Sequence, residues 1–305
     1  MRLGLQISSF TWPGGDAAIA PTLARIARTA DEVGFDSIWV MDHFFQIRGV
    51  GRAEEPMLEG WEALAYMAAL TKRARLGLMV GGVHYRQAGL WVKAATTLDV
   101  LAGGRSYFGI GAAWNQEESD GLGFPMPPLR ERFAMLRETL EIAHRIWAGE
   151  HGTGEAYQGT YYRATRLLNS PQSISRPHPP ILVGGGGERV TLRLVARYAD
   201  ACNVFGTPEM LRHKYAVLRR HCEEVGRDYG SVERTNLSSF DLSPAGGPGK
   251  VTPSEMVDRL GAWAGAGSHH AIFSLRDAWD VSKLELIGRD VIPQVRALGE
   301  PSPIG

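Results

Sequence analysis

Eight short runs rich in β-branched and aromatic residues alternate along this chain with eight stretches of helical hydrophobic spacing, and that alternation limits the fold more than any other feature. The extended runs fall at residues 3–7, 37–42, 75–81, 106–112, 181–184, 201–205, 234–242 and 271–275. In the first helical stretch Ile19, Leu23, Ile26, Ala27, Ala30 and Val33 recur every three or four positions until Gly34 stops the pattern. Further stretches at 62–72, 91–101, 130–147, 188–198, 209–225, 254–264 and 279–295 repeat the theme. Eight βα units in series predict a closed (β/α)8 barrel with parallel strands, whose active site lies at the carboxyl ends of those strands.

The chain has 305 residues, and α/β barrels reach that length as one unit, so residues 1–305 are expected to form a single domain. No internal repeat or linker divides it. Three connections are long: 44–60 and 113–129, both on the catalytic face, and 150–180, which holds a hairpin-like segment at 157–162 and serves as support, lid or dimer contact. The Gly- and Pro-rich run 243–253 is a further candidate cover for the site.

Composition removes several function classes. Lys plus Arg and Asp plus Glu balance at 33 each, which gives no electrostatic footprint for nucleic acid. Cys202 and Cys222 are the only cysteines, too few for a disulfide framework or a Cys-rich metal site, and a reducing, cytoplasmic setting is expected. Residues 1–7 read as a strand rather than as a signal peptide, and no run reaches the roughly 18 apolar residues of a membrane span.

Asp42 and His43 stand where an apolar run meets its loop, which in a barrel is the catalytic rim. Asp42 beside His43 either fixes the ring's tautomer for proton transfer, or His43 simply hydrogen-bonds its loop. The third run ends in Gly81, Gly82, Val83, His84, Tyr85 and Arg86, which reads as close approach to a ligand or as a tight turn with a polar collar. After the fourth run, Gly109 and Gly111 leave room over the barrel mouth, Trp114 is substrate wall or loop packing, and Asn115 offers a donor and an acceptor. Gly184, Gly185, Gly186 and Gly187 join a strand to a helix with Arg189 nearby, an arrangement whose free amides suit a phosphate. It matches neither a Walker loop nor the Rossmann fingerprint. His269 and His270, adjacent on a strand, point to opposite faces, so no metal site is expected. Both cysteines read as buried packing.

Taken together, residues 37–43, 85–86, 95–105, 109–114, 124–125, 181–187 and 198–203 resemble the luciferase-like monooxygenase superfamily, in particular its branch of F420-dependent oxidoreductases. The resemblance covers nearly the whole chain. It implies a barrel that holds coenzyme F420, or FMN in the alternative, with the phosphate tail at the glycine loop. Asp42 and His43 would then lie beside the ring, His43 handling a proton. It also implies a non-prolyl cis peptide behind the ring, placed at Gly82–Val83, and a cofactor contact at Asn115. The related sugar-phosphate dehydrogenases carry a glutamate where this chain has Ala112 and a tryptophan where it has Ile47, so their substrate is not expected here. The implied reaction is hydride transfer between the deazaflavin and a small organic substrate, walled by Phe10, Trp12, Phe44, Trp114 and Phe205. Two rival readings remain: a two-component monooxygenase using reduced FMN and oxygen, and a non-catalytic flavin-binding barrel. The resemblance further implies a homodimer, with a separate reductase as a possible source of reduced cofactor.

Overall fold

In the computed structural model, which describes residues 1–304, the expected strands pair in parallel around a ring. They are β1 (Arg2–Ile7), β2 (Ser37–Val40), β3 (Arg75–Leu78), β4 (Ser106–Gly111), β5 (Ile181–Gly184), β6 (Ala201–Val204), β7 (Glu233–Phe240) and β8 (His270–Leu275). Their spatial order is β3-β2-β1-β8-β7-β6-β5-β4, and β3 pairs with β4 through Leu76↔Ser106 and Gly77↔Tyr107, which closes the (β/α)8 barrel and removes its edges.

The helices form the outer layer: α1 (Ile19–Val33), α2 (Gly60–Ala68), α3 (Ala88–Leu101), α4 (Gln116–Leu122), α5 (Leu129–Trp147), α6 (Thr191–Tyr198), α7 (Pro208–Glu224), α8 (Pro253–Gly265), α9 (Val281–Asp290) and α10 (Ile292–Val295). In α1 the periodic residues Leu23, Ile26, Ala27 and Ala30 are buried, and Gly34 ends the helix at φ 101°. Full burial of Leu23 or Ile26 contributes about 2 kcal/mol each. The last helical stretch, expected to be continuous, breaks at Val291 because Pro293 opens α10 and has no N–H to continue α9. The helix expected from residue 188 starts only at Thr191. The hairpin is present, with Tyr157↔Ala164 and Gln158↔Arg163 paired.

The third strand departs most from expectation. It leaves the ladder after Leu78 and resumes only as Gly81–Gly82, which pair with Ile110 and Gly111. The non-prolyl cis peptide is Met79–Val80, not Gly82–Val83 as expected. The intervening residues push inward, and the facing strands carry glycine to receive them. A Cβ on Gly109 would stand 1.9 Å from the Leu78 carbonyl oxygen, and one on Gly111 or Gly184 would meet Val80 Cγ2 at 2.9 or 2.8 Å. The sequence pattern showed the glycines, while the family resemblance placed the cis peptide three bonds too far along, because the partners that fix it lie on other strands.

The amino end of the barrel is plugged by a buried polar cluster. Trp39 and Tyr107 pack with centroids 4.9 Å apart. The Glu233 carboxylate accepts from Tyr107 Oη and Ser302 Oγ, both at 2.8 Å, with His270 Nδ1 at 3.4 Å and Arg2 Nη1 at 3.6 Å. Burial by itself would raise this carboxyl, but the contacts with His270, Ser302 and Arg2 prevail and hold it at about 2. His269 faces the other way, toward Arg234 and Glu300, as alternation requires. Both cysteines are buried and unpaired, and burial pushes the Cys202 thiol up to about 12.

Gly109→Ala should cost about 1–3 kcal/mol or prevent folding, because backbone must move to admit the methyl group. Gly89→Ala, in α3 with open space around it, should be neutral or stabilise by up to about 1 kcal/mol. Thermal melts run side by side decide this, and equal midpoints would refute the packing argument. Glu233 also imposes a pH dependence. A carboxyl held at about 2 instead of its ordinary 4.5 adds stability that is complete above pH 4.5 and is lost as the pH falls toward 2. Glu233→Gln should therefore flatten the stability profile across that window, and denaturation midpoints running parallel to the parent's would contradict the assignment.

Candidate active site

The carboxyl ends of the strands open into a cavity of about 290 Å³. Its floor is the inward excursion of β3 resting on glycines, with Met79, Val80, Gly82, Gly111, Gly184 and Gly185 lining it. Apolar side chains from the following loops and α5 form the walls: Trp114, Leu129, Phe133 and Phe205. Polar groups are few, namely Asp42, His43, Tyr85, Thr191 and Asn203. A slot with apolar walls and a small number of placed polar groups is what a flat, largely aromatic ligand requires.

Asp42 and His43 stand together at the end of β2 but do not serve each other. Asp42 is fully buried and takes a bidentate pair from Arg86, Nη1 to Oδ2 at 2.9 Å and Nη2 to Oδ1 at 2.8 Å, plus the Gly82 amide at 3.0 Å. Burial pushes its carboxyl up, and Arg86 opposes that push. Arg86 also bonds Glu59 and lies 4.5 Å above the Trp91 ring. Of the two readings of this pair, the one in which Asp42 orients His43 does not hold, since Asp42 bonds Arg86 and the Gly82 amide instead. The Tyr85-Arg86 collar is structural in its arginine half.

The partner of His43 is Glu118, a residue that sequence reasoning passed over. Its carboxylate is entirely buried, with Oε1 2.5 Å from His43 Nδ1 and also bonded by Tyr85 Oη. Oε2 accepts the Phe44 and Phe45 amides at 2.7 and 3.2 Å. Burial acts to raise this carboxyl, but the hydrogen bonds from His43, Tyr85 and the Phe44 amide outweigh it and leave it below the usual range. Tyr85 is driven well up by burial and by Glu118, so its hydroxyl stays protonated. Trp114 meets the His43 ring edge-on at 5.4 Å.

The remaining predicted residues separate into three groups. Gly82, Gly184, Gly185, Trp114 and Phe205 border the cavity with His43. Gly186, Gly187 and Arg189 continue along the loop into α6, whose first turn has no side-chain cap, while Gly185 sits at φ 121°. Arg189 is exposed there, and Lys214 flanks Gly186 while bonding Glu188 at 2.7 Å. The third group stands apart from the cavity lining. Asn115 caps α4 through the Glu117 amide, Val83 lies buried with its carbonyl accepting from Trp91 Nε1, and Phe10 and Trp12 pack on each other in the core. Phe44 packs against Tyr85 and Phe124.

Thr191 and Asn203 were also missed. Asn203 was within reach of sequence reasoning, because it pairs with Gly184 in the β5–β6 register and therefore shares its inward face. Glu118 carried no such signal, being 75 residues from His43 on a short helix inside a loop. Among the described residues no group of three or more His, Cys, Asp or Glu is placed to hold a metal ion, and no helix is long and apolar enough to cross a membrane.

Comparison with known proteins gives a consistent picture. The model of the family described as luciferase-like monooxygenase matches residues 1–240. An F420-dependent glucose-6-phosphate dehydrogenase of Kineococcus radiotolerans is 34% identical over 255 residues, 80% of this chain and 70% of that protein. The F420-dependent tetrahydromethanopterin reductase of Methanopyrus kandleri superposes with a TM-score of 0.78 at 17% identity, over 96% of this chain and 98% of that one. The oxygenating constituent of 3,6-diketocamphane monooxygenase from Pseudomonas putida, solved with FMN, gives 0.74 at 19% identity over 96% and 98%.

Arg86→Met should destabilise the protein by about 3–5 kcal/mol, because it strands the buried Asp42 carboxylate without its cation. Urea denaturation measures this, and a midpoint unchanged from the parent would show that the pair does not hold the rim together.

Proposed function

Because the chain belongs to the luciferase-like monooxygenase family, we propose that it is an F420-dependent oxidoreductase acting on a small, uncharged organic substrate. The observation that carries this reading is the glycine-floored, apolar-walled slot with one histidine ring nitrogen left for it: His43 Nδ1 is taken by Glu118, and Nε2 has no partner among the described residues. The 34% identical relative named for F420 dependence supports the choice of cofactor.

The residues present suit the deazaflavin. Val80, Gly82, Gly111 and Gly184 give a surface on which a planar ring can lie, and no side chain can replace Gly111 or Gly184 without striking Val80. Gly184, Gly185, Gly186, Gly187 and Arg189 would hold the phosphate tail, with Lys214 beside the loop. When bound, the coenzyme supplies a two-electron carrier that accepts or gives hydride. The protein orients the two reactants, keeps water from the apolar slot, and lets His43 Nε2 take or return the accompanying proton. Trp114 and Phe205, both more than half exposed, wall the substrate side. No Lys or Arg is among the described residues lining the cavity, which favours an uncharged substrate over a sugar phosphate.

A second reading, reduced FMN with oxygen as co-substrate, draws on the Pseudomonas putida neighbour solved with FMN. We also take the protein to be a homodimer in a reducing, cytoplasmic setting, in keeping with its two unpaired cysteines. In the reducing direction a separate reductase would renew the cofactor.

Side-by-side calorimetric titration of the apoprotein with F420 and FMN, each oxidised and reduced, tests the assignment. Tighter binding of F420 is expected, with Gly184→Val weakening it at least tenfold by filling the slot. Selective binding of reduced FMN would move the protein to the oxygen-using members, and no binding of either would overturn both readings.

A further inference from the structure

Glu118 has more donors around it than a structural carboxylate needs. Two backbone amides, a phenol and an imidazole nitrogen converge on its two oxygens, and the side chain has no exposure to solvent. An amide N–H can only donate. The Phe44 and Phe45 amides therefore require an acceptor at Oε2, and the Tyr85 hydroxyl is directed at Oε1. A carboxylic acid proton on Oε2 would face an amide N–H, and the hydrogen bonds from His43, Tyr85 and the Phe44 amide hold the carboxyl below its ordinary range. The group is thus an anion that only accepts, and the remaining neighbour, His43 Nδ1 at 2.5 Å, must bring a proton to it.

We propose that Glu118 is the positioning residue that fixes His43 with its proton on Nδ1 and its Nε2 lone pair toward the cavity, so that the neutral ring acts as a base toward a substrate hydroxyl. The neighbouring Asp42 cannot compete for the role, since Arg86 occupies both of its oxygens. Trp114 packs edge-on against the ring, with centroids 5.4 Å apart. The placement of Glu118 is built in two steps: Asn115 caps α4 through the Glu117 amide, and Ser119 Oγ returns a bond to the Asn115 carbonyl at 2.9 Å. This gives Asn115 a role in aiming Glu118.

The last clause of the proposal rests on the oxidoreductase reading; the tautomer does not. In the transfer the substrate O–H bond breaks, its electron pair stays on the substrate oxygen, and the proton forms an N–H bond at Nε2. The resulting imidazolium is offset by the Glu118 anion across the 2.5 Å contact. Glu118 itself does not take the proton, because its acceptor sites are already filled by four donors. The proton therefore returns by way of Nε2 and the cavity, not through the interior. In the opposite direction the same ring, protonated at both nitrogens, gives the Nε2 proton back.

The test uses the full chain without cofactor, so that failure of the F420 assignment and failure of this proposal stay separate. Long-range proton–nitrogen NMR on histidine-labelled protein reads which ring nitrogen carries hydrogen, and a His43→Asn spectrum identifies the resonance among nine histidines. The expected result for the parent protein is a neutral ring protonated at Nδ1, with Glu118→Gln moving the proton toward Nε2. A parent ring protonated at Nε2 overturns the proposal whatever the variant does. So does an Nδ1-protonated ring that is unchanged in a folded Glu118→Gln protein. Tyr85→Phe, which removes one donor and keeps the His43 contact, should preserve the Nδ1 form, so loss of that form there would assign the role to Tyr85 instead.

Discussion

Where Met79 and Val80 leave the strand ladder and press into the barrel, the facing strands can carry nothing larger than hydrogen at Gly109, Gly111 and Gly184. The candidate site depends on that close approach. It stops the third strand at Leu78, restarts it at Gly81, and turns the open end of the barrel from a packed layer of side chains into a slot with a smooth floor. The amino end shows the contrary solution, since Trp39, Tyr107, Glu233 and His270 fill the interior there. Emptying only one end leaves the barrel a core to stand on and a cavity to work with.

Two carboxylates near His43 divide the labour at the rim. Asp42 is spent on Arg86, which also ties Glu59 at the start of α2 and lies on Trp91 of α3, so one guanidinium binds the second strand to two surrounding helices. Glu118 is spent on His43 and on the two amides after it, binding the second strand's loop to the loop after the fourth. A single carboxylate doing both jobs would leave either the arginine or the imidazole without its counter-charge in a buried place. The histidine can be both held and reactive because its two nitrogens face different environments.

Strand number and the position of the catalytic rim were legible in the chain, since they rest on hydrophobic period, and period survives whatever tertiary contacts follow, whereas the short α4 and the separate α10 were not. So were the burial of both cysteines, the opposed faces of His269 and His270, and the placement of His43, Gly82, Gly184, Gly185, Trp114 and Phe205 around one opening. Legibility failed wherever a residue's meaning came from another strand or loop. Phe10 and Trp12 follow a strand just as Phe205 does, yet they turn onto each other in the core. Asn115 has the right chemistry for a ligand contact and uses it to cap a helix.

The sequence by itself determined that this chain closes into a barrel and that a histidine stands at its working end, because side-chain alternation and helical spacing are local properties. Only the tertiary structure decided which carboxylate serves that histidine and where the third strand breaks. Asp42 is adjacent in the chain and Glu118 is 75 residues away, but hydrogen bonds are fixed by distance in space, and closing the barrel carries the Glu118 carboxylate to 2.5 Å from the His43 ring.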